Sequence, residues 1–272
     1  MGAGHLHDLG ALSALAARDT PAARLDPRAK VLATAAFVAV VASFGRHDVV
    51  RLVPLALFPL ALAALGDVPL RALLRPLALA SPFALGVAAF EPFLDRAPAL
   101  ALGGLTVPGG ALGLLTIVGK VALSLSAALL LVATTGFDQV CVALRRLGTP
   151  RALVSQLLLT HRYLFVLSAE AGRSLRAHAL RAPDRPRPPL RVAGTMLGQL
   201  LVRALARAER VHVAMRCRGF AGELPLARRG GVGRRDALFA AATAALLVLA
   251  RTFDLAAYVG AYLGAALPGA RP

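Results

Sequence analysis

Four apolar runs precede Gly136: Val31 to Gly45, Leu52 to Gly66, Pro76 to Phe90 and Gly109 to Thr135, the last interrupted only by Lys120. Helices crossing a hydrocarbon core of ~30 Å need about 20 apolar residues and satisfy every backbone group internally, so runs of this kind have few alternatives to a membrane helix. Val31 to Gly45 approaches that length when its flanking residues snorkel. Pro54 and Pro59 interrupt the second run, and Arg71 and Arg75 precede the third. Composition agrees, because 57% hydrophobic residues in a chain of 272 exceeds the roughly 45–50% of an ordinary soluble domain. An all-α integral membrane protein is therefore expected.

The chain divides into an N-terminal arm (1–30), transmembrane helices 1–4 (31–136), a basic segment (137–235) and a C-terminal transmembrane segment and tail (236–272). With the last part, about five transmembrane helices are expected, although Arg251 and Asp254 leave one long span or a span plus a half-helix open. Ala97 to Pro108 is apolar but broken by Pro98, Gly103, Gly104 and Pro108, and reads as an outer loop or re-entrant piece. Asp26 followed by Pro27 forms a cap and first turn for the helix after it. The first 28 residues lack the pattern of a removable signal peptide.

Positive charge is concentrated in one place. Asp138 to Arg235 holds 19 arginines against five carboxylates, a net +14 of the chain's +17. Basic segments are retained in the cytoplasm, which places both the arm and this segment on the cytoplasmic side of the membrane, as four intervening spans permit. A soluble nucleic-acid binder with such a patch would lack the apolar runs, so no nucleic-acid partner is expected. Cys141 and Cys217 both lie in the basic segment and read as reduced thiols.

Within the segment, Leu153, Leu157, Leu164, Leu167, Ala171 and Leu175 recur with helical spacing, and Glu170 and Arg173 form a modest pair three residues apart. Pro183, Pro186, Pro188 and Pro189 stop that helix just past Arg181. A second helix runs from about Val192 to Met215, with Gly219 suited to its C-cap. Each amphipathic helix thus ends in an arginine beside a small residue: Leu180-Arg181-Ala182 and Cys217-Arg218-Gly219. A planar guanidinium bonds a carboxylate bidentately, which lysine cannot imitate.

Catalytic constellations are scarce. Gly113 to Lys120 misses the phosphate-loop spacing and lies in an apolar run, and His5 and His7 on the arm have only Asp8 nearby, so no nucleotide or metal site is assigned. His161, His178 and His212 read as packing or surface residues without a carboxylate at suggestive spacing. Lys120 reads as snorkelling or paired within the bundle, with contact to a partner subunit as the alternative. Gly109-x-x-x-Gly113 and Gly260-x-x-x-Gly264 would permit close helix approach.

Leu25 to Lys30 (LDPRAK), Leu144 to Pro150 (LRRLGTP), Arg162-Tyr163 with Glu170, and Arg203 to Gly222 (RALARAERVHVAMRCRGFAG) resemble, in order and over nearly the whole length, the transmembrane T component of energy-coupling factor transporters, the EcfT/CbiQ family. The resemblance implies long cytoplasmic amphipathic coupling helices whose ends dock into a pair of cytoplasmic ABC ATPase subunits, with Leu180, Arg181, Ala182, Cys217, Arg218 and Gly219 as the docking residues. Leu180 and Cys217 depart from the usual small first residue of those motifs, and Ala182 from the glycine. It further implies a membrane S component that selects the cargo, cobalt or nickel in the CbiQ branch, and ATP used by the partner ATPases, with no cofactor or catalysis in this chain. The rival expectation is a stand-alone secondary transporter whose basic segment binds anionic lipid.

Overall fold

A computed structural model describes residues 20–45, 48–91, 98–102, 105–184, 186–222, 224 and 233–252. His5, His7, Asp8, Gly103, Gly104, Asp254 and the Gly260–Gly264 pair, singled out by sequence, lie outside the described residues. The described chain packs as two units, one comprising 20–136 with 233–252 and the other 137–224.

The first unit begins with a 3₁₀ turn, Pro21–Arg24, capped by the Thr20 hydroxyl, and continues into α1 (Pro27–Ser43). The Asp26 carboxylate accepts from Arg28 N at 2.9 Å, and Pro27 occupies the first turn, where a missing N–H is harmless. The run from Leu52 to Gly66 is divided into α2 (Val49–Leu52), a 3₁₀ turn at Pro54–Ala56 and α3 (Leu57–Leu65). Pro54 removes an amide donor at that break. α4 (Leu70–Ala88) carries Pro76 and Pro82 internally, α5 (Gly109–Thr135) is 27 residues long, and α9 (Arg234–Thr252) returns to the same unit. Their shared core contains Phe37, Val41, Leu55, Phe58, Leu62, Leu130 and Leu247, with Phe37 stacked on Phe58 at 4.5 Å.

Two features add detail to what the sequence suggested. Ala97 to Pro108 contains an antiparallel hairpin, β1 (Pro98–Leu102) with β2 (Leu105–Pro108), pairing Leu102 with Leu105. Among the described residues three helices are long and apolar enough to cross a membrane, Arg71–Ala88, Gly109–Thr135 and Arg151–Arg181. α1, with 17 residues, rises only about 25 Å. Arg151–Arg181 is the first of the two amphipathic helices read from the sequence, and Arg151, Arg162, Glu170, Arg173, Arg176 and Arg181 are spread along it. The molecule remains an α-helical membrane protein.

The Lys120 ammonium inside the bundle is satisfied locally. Lys120 donates from Nζ to the Phe44 carbonyl at 2.5 Å, at the end of α1, so it pairs within the bundle. Gly113, in the second turn of α5, sits against the Glu91 carboxylate, where an added Cβ would stand 3.0 Å from Oε2. The run from Gly113 to Lys120 is continuous α-helix and forms no phosphate loop.

Candidate functional site

The 137–224 unit is built from α6 (Phe137–Arg146), α7 (Arg151–Arg181) and α8 (Leu190–Cys217). In α6, Asp138 occupies the first turn and Arg145 and Arg146 the last, complementing the helix dipole at both ends. Gly148 then adopts φ +102°, and Thr149 N reaches back to Leu144 O at 3.1 Å, a glycine-centred C-cap that explains the LRRLGTP stretch. Pro150 starts α7 at once. α6 rests on α7 through His161, whose ring stacks on Phe137 at 4.3 Å and meets Phe165 edge-on at 5.1 Å. Its Nδ1 lies 3.8 Å from Asp138 Oδ1, a carboxylate partner that spacing along the chain did not suggest because it comes from another helix.

The two cysteines of this unit differ sharply. Burial and, to a lesser extent, the neighbouring Asp138 charge push the Cys141 thiol up to about 11, whereas Cys217 is exposed. At pH 8 about one Cys141 thiol in a thousand is then ionised, and the thiolate is the nucleophile. N-ethylmaleimide is expected to modify Cys217 within minutes and Cys141 only after unfolding, and peptide mass mapping of the labelled protein checks this order. Equal labelling of both in the folded protein would contradict the burial of Cys141.

α7 and α8 run antiparallel. Glu170, 9% exposed, directs Oε2 to Arg207 Nη2 at 3.1 Å and Oε1 to Arg203 Nη1 at 3.6 Å. The expected Glu170–Arg173 pairing is replaced by this inter-helix fork, since Arg203 and Arg207 are four residues apart and share a face of α8. A buried carboxylate needs a cation, and Glu170 on the packed stripe of α7 was the available clue to such a contact. Further along, Ser155 Oγ donates to Gly222 O at 3.3 Å. Between these points a cavity of about 370 Å³ is lined by Tyr163, Leu167, Ala204, Val211, Met215 and Phe220, among others.

The two arginine-bearing ends are finished differently. α8 closes with Gly219 at φ +79° and Phe220 N bonded to Met215 O at 3.0 Å, the glycine cap expected from sequence. α7 closes with Ala182 N on His178 O at 3.0 Å and Ala182 near φ −133°, a conformation that needs no glycine. Leu180, Arg181, Cys217, Arg218 and Gly219 are exposed, and Ala182 is half-buried. The structure does not bring the two triplets together. Gly222, just past Arg218, lies beside Ser155 near the start of α7, while Arg181 ends that helix. At 1.5 Å per residue the two tips are about 40 Å apart. Along both helices Leu153, Leu164, Leu175, Leu197, Leu201 and Val213 remain exposed. Among the described residues no three His, Cys, Asp or Glu side chains converge as a metal site would require.

The family model for CbiQ, described as cobalt transport protein, matches residues 18–227. The chain belongs to the CbiQ cobalt transport protein family. A protein named cobalt transport protein CbiQ from Rhodobacter capsulatus is 34% identical over 95 residues, covering 35% of this chain. The matched stretch spans 39% of that relative's length. Family membership agrees with the resemblance carried by the LDPRAK, LRRLGTP and Arg203 to Gly222 stretches, and identifies the chain with transport proteins of the membrane.

Proposed function

We propose that this chain is the coupling subunit of an energy-coupling-factor ABC importer: it carries ATP-driven motion from two cytoplasmic ATPases to a membrane S component. The observation that carries the reading is the separation of Arg181 and Arg218, exposed at opposite ends of one pinned helix pair. Two docking points about 40 Å apart suit two ATPase subunits, one for each tip. At each tip the guanidinium would bond carboxylates in a groove of its ATPase. The exposed leucines of α7 and α8 supply an apolar face for the S component, which selects the cargo. Cobalt is the cargo suggested by the printed name of the relative, with nickel close in chemistry. On this reading the N-terminal arm and the basic segment lie in the cytoplasm of a bacterium, ATP turns over only on the partners, and this chain holds no cofactor.

The test is assembly. Arg181→Glu combined with Arg218→Glu is expected to abolish co-purification of the ATPases and ATP-driven Co2+ uptake, while the chain still inserts in the membrane. Retention of both by the double variant would refute the docking role. Uptake into vesicles by the isolated chain, driven by an ion gradient, would replace it with a stand-alone transporter.

A further inference from the structure

A buried ammonium costs several kcal/mol unless its donors are bonded. Lys30 is 1% exposed, and its Nζ donates to Ala22 O at 2.9 Å and to Thr134 O at 3.2 Å. Thr134 lies in the last turn of α5, where carbonyls lack intrahelical donors and carry the negative end of the helix dipole. On the other side of the same turn of α1 stands Asp236, 6% exposed in the first turn of α9. Its Oδ2 accepts from Gly233 N at 2.8 Å, capping its own helix, and its Oδ1 accepts from Asp26 N at 2.6 Å. Asp26 and Lys30 are one helical turn apart, so this turn of α1 holds the end of α5 and the start of α9 together.

These two helix ends are the places where the chain leaves the 20–136 unit and re-enters it. Gly136, with φ +79°, follows directly after α5 and is torsionally permissive. We propose that Asp26, Lys30 and Asp236 form a clamp that joins the end of α5 and the start of α9 into one rigid mount, so that displacement of the 137–224 unit reaches the membrane helices instead of being lost as bending at these helix ends. The three are positioning residues, and their purpose rests on the coupling role proposed above.

The experiment uses the full chain in its complex with the ATPases and S component in proteoliposomes, with Co2+ as probe ion. Lys30→Met preserves side-chain length without the donors, and Asp236→Asn keeps one acceptor oxygen. In each, amide exchange at residues 132–136 and 233–237 is expected to rise about tenfold while Leu123 to Leu130 stay protected. Co2+ taken up per ATP hydrolysed is expected to fall about fivefold with ATP hydrolysis retained. The double variant should lose no more than the worse single one, because breaking either side opens the same clamp. Faster exchange only at the mutated end, additive losses, or wild-type uptake per ATP would overturn the clamp. Should Lys30→Met fail to fold, Asp236→Asn decides by the same exchange and uptake readouts. A wild-type complex that shows no ATP-driven uptake overturns the coupling role instead, and the exchange pattern then decides the clamp alone.

Discussion

Glu170→Ala is expected to unfasten α7 from α8, lowering the stability of the 137–224 unit by about 2 kcal/mol. The magnitude follows from where the charges sit. Glu170 is nearly buried, so the native state has already met its desolvation through two guanidinium partners. Removing it leaves Arg203 and Arg207 as like charges four residues apart, but their side chains are 61% and 39% exposed, and water screens much of the repulsion. The loss therefore falls below the 3–5 kcal/mol of a fully buried pair broken on one side. Arg207→Ala should cost more than Arg203→Ala, because Arg207 is closer to the carboxylate and better shielded. Denaturation of the purified protein followed at α8 would measure all three. Equal stability of Glu170→Ala and wild type would mean that apolar packing alone aligns the helices.

The second large effect is expected at Gly66. Its position has no room for a methyl group: an added Cβ would collide with Thr134 Cγ2 and stand 3.0 Å from the backbone carbonyl of Leu62. Gly66→Ala should destabilise the first unit by about 2 kcal/mol through overpacking, and Gly66→Val by more. Thr134→Ser removes only the offending methyl and keeps the hydroxyl that donates to Leu130 O at 2.7 Å. Combined with Gly66→Ala, it should restore at least half of the lost stability, measured as a midpoint in mild detergent. Failure of the pair to interact would place the strain on the Leu62 carbonyl instead.

Much of the fold was legible from hydropathy and capping chemistry. Asp26-Pro27 announced the start of α1 and Gly219 the end of α8, because each residue answers a local backbone need that does not depend on distant packing. Local need was also the limit. The hairpin at Pro98–Leu102 and Leu105–Pro108 was hidden by prolines that reduce strand propensity, although they fall at the outer ends of the strands, where a missing donor is tolerated. Glu170 was matched to the nearest arginine in sequence, whereas its partners lie on the next helix, and His161 found Asp138 across the α6–α7 turn. Such contacts are set by the antiparallel return of the chain, and a helical wheel drawn for one segment contains no information about them. Lys30 illustrates the same point, since nothing local to LDPRAK indicates that its ammonium ends on the last turn of α5.

The antiparallel register of α7 and α8 makes the molecule a ruler. The distance between its two tips is written as the number of residues from Ser155 to Arg181, graduated at 1.5 Å each. Inserting one helical turn into that interval would lengthen the rule by about 5 Å and leave the turn of α1 and its lysine untouched. Any body that grips both ends at once has its own spacing gauged against this count.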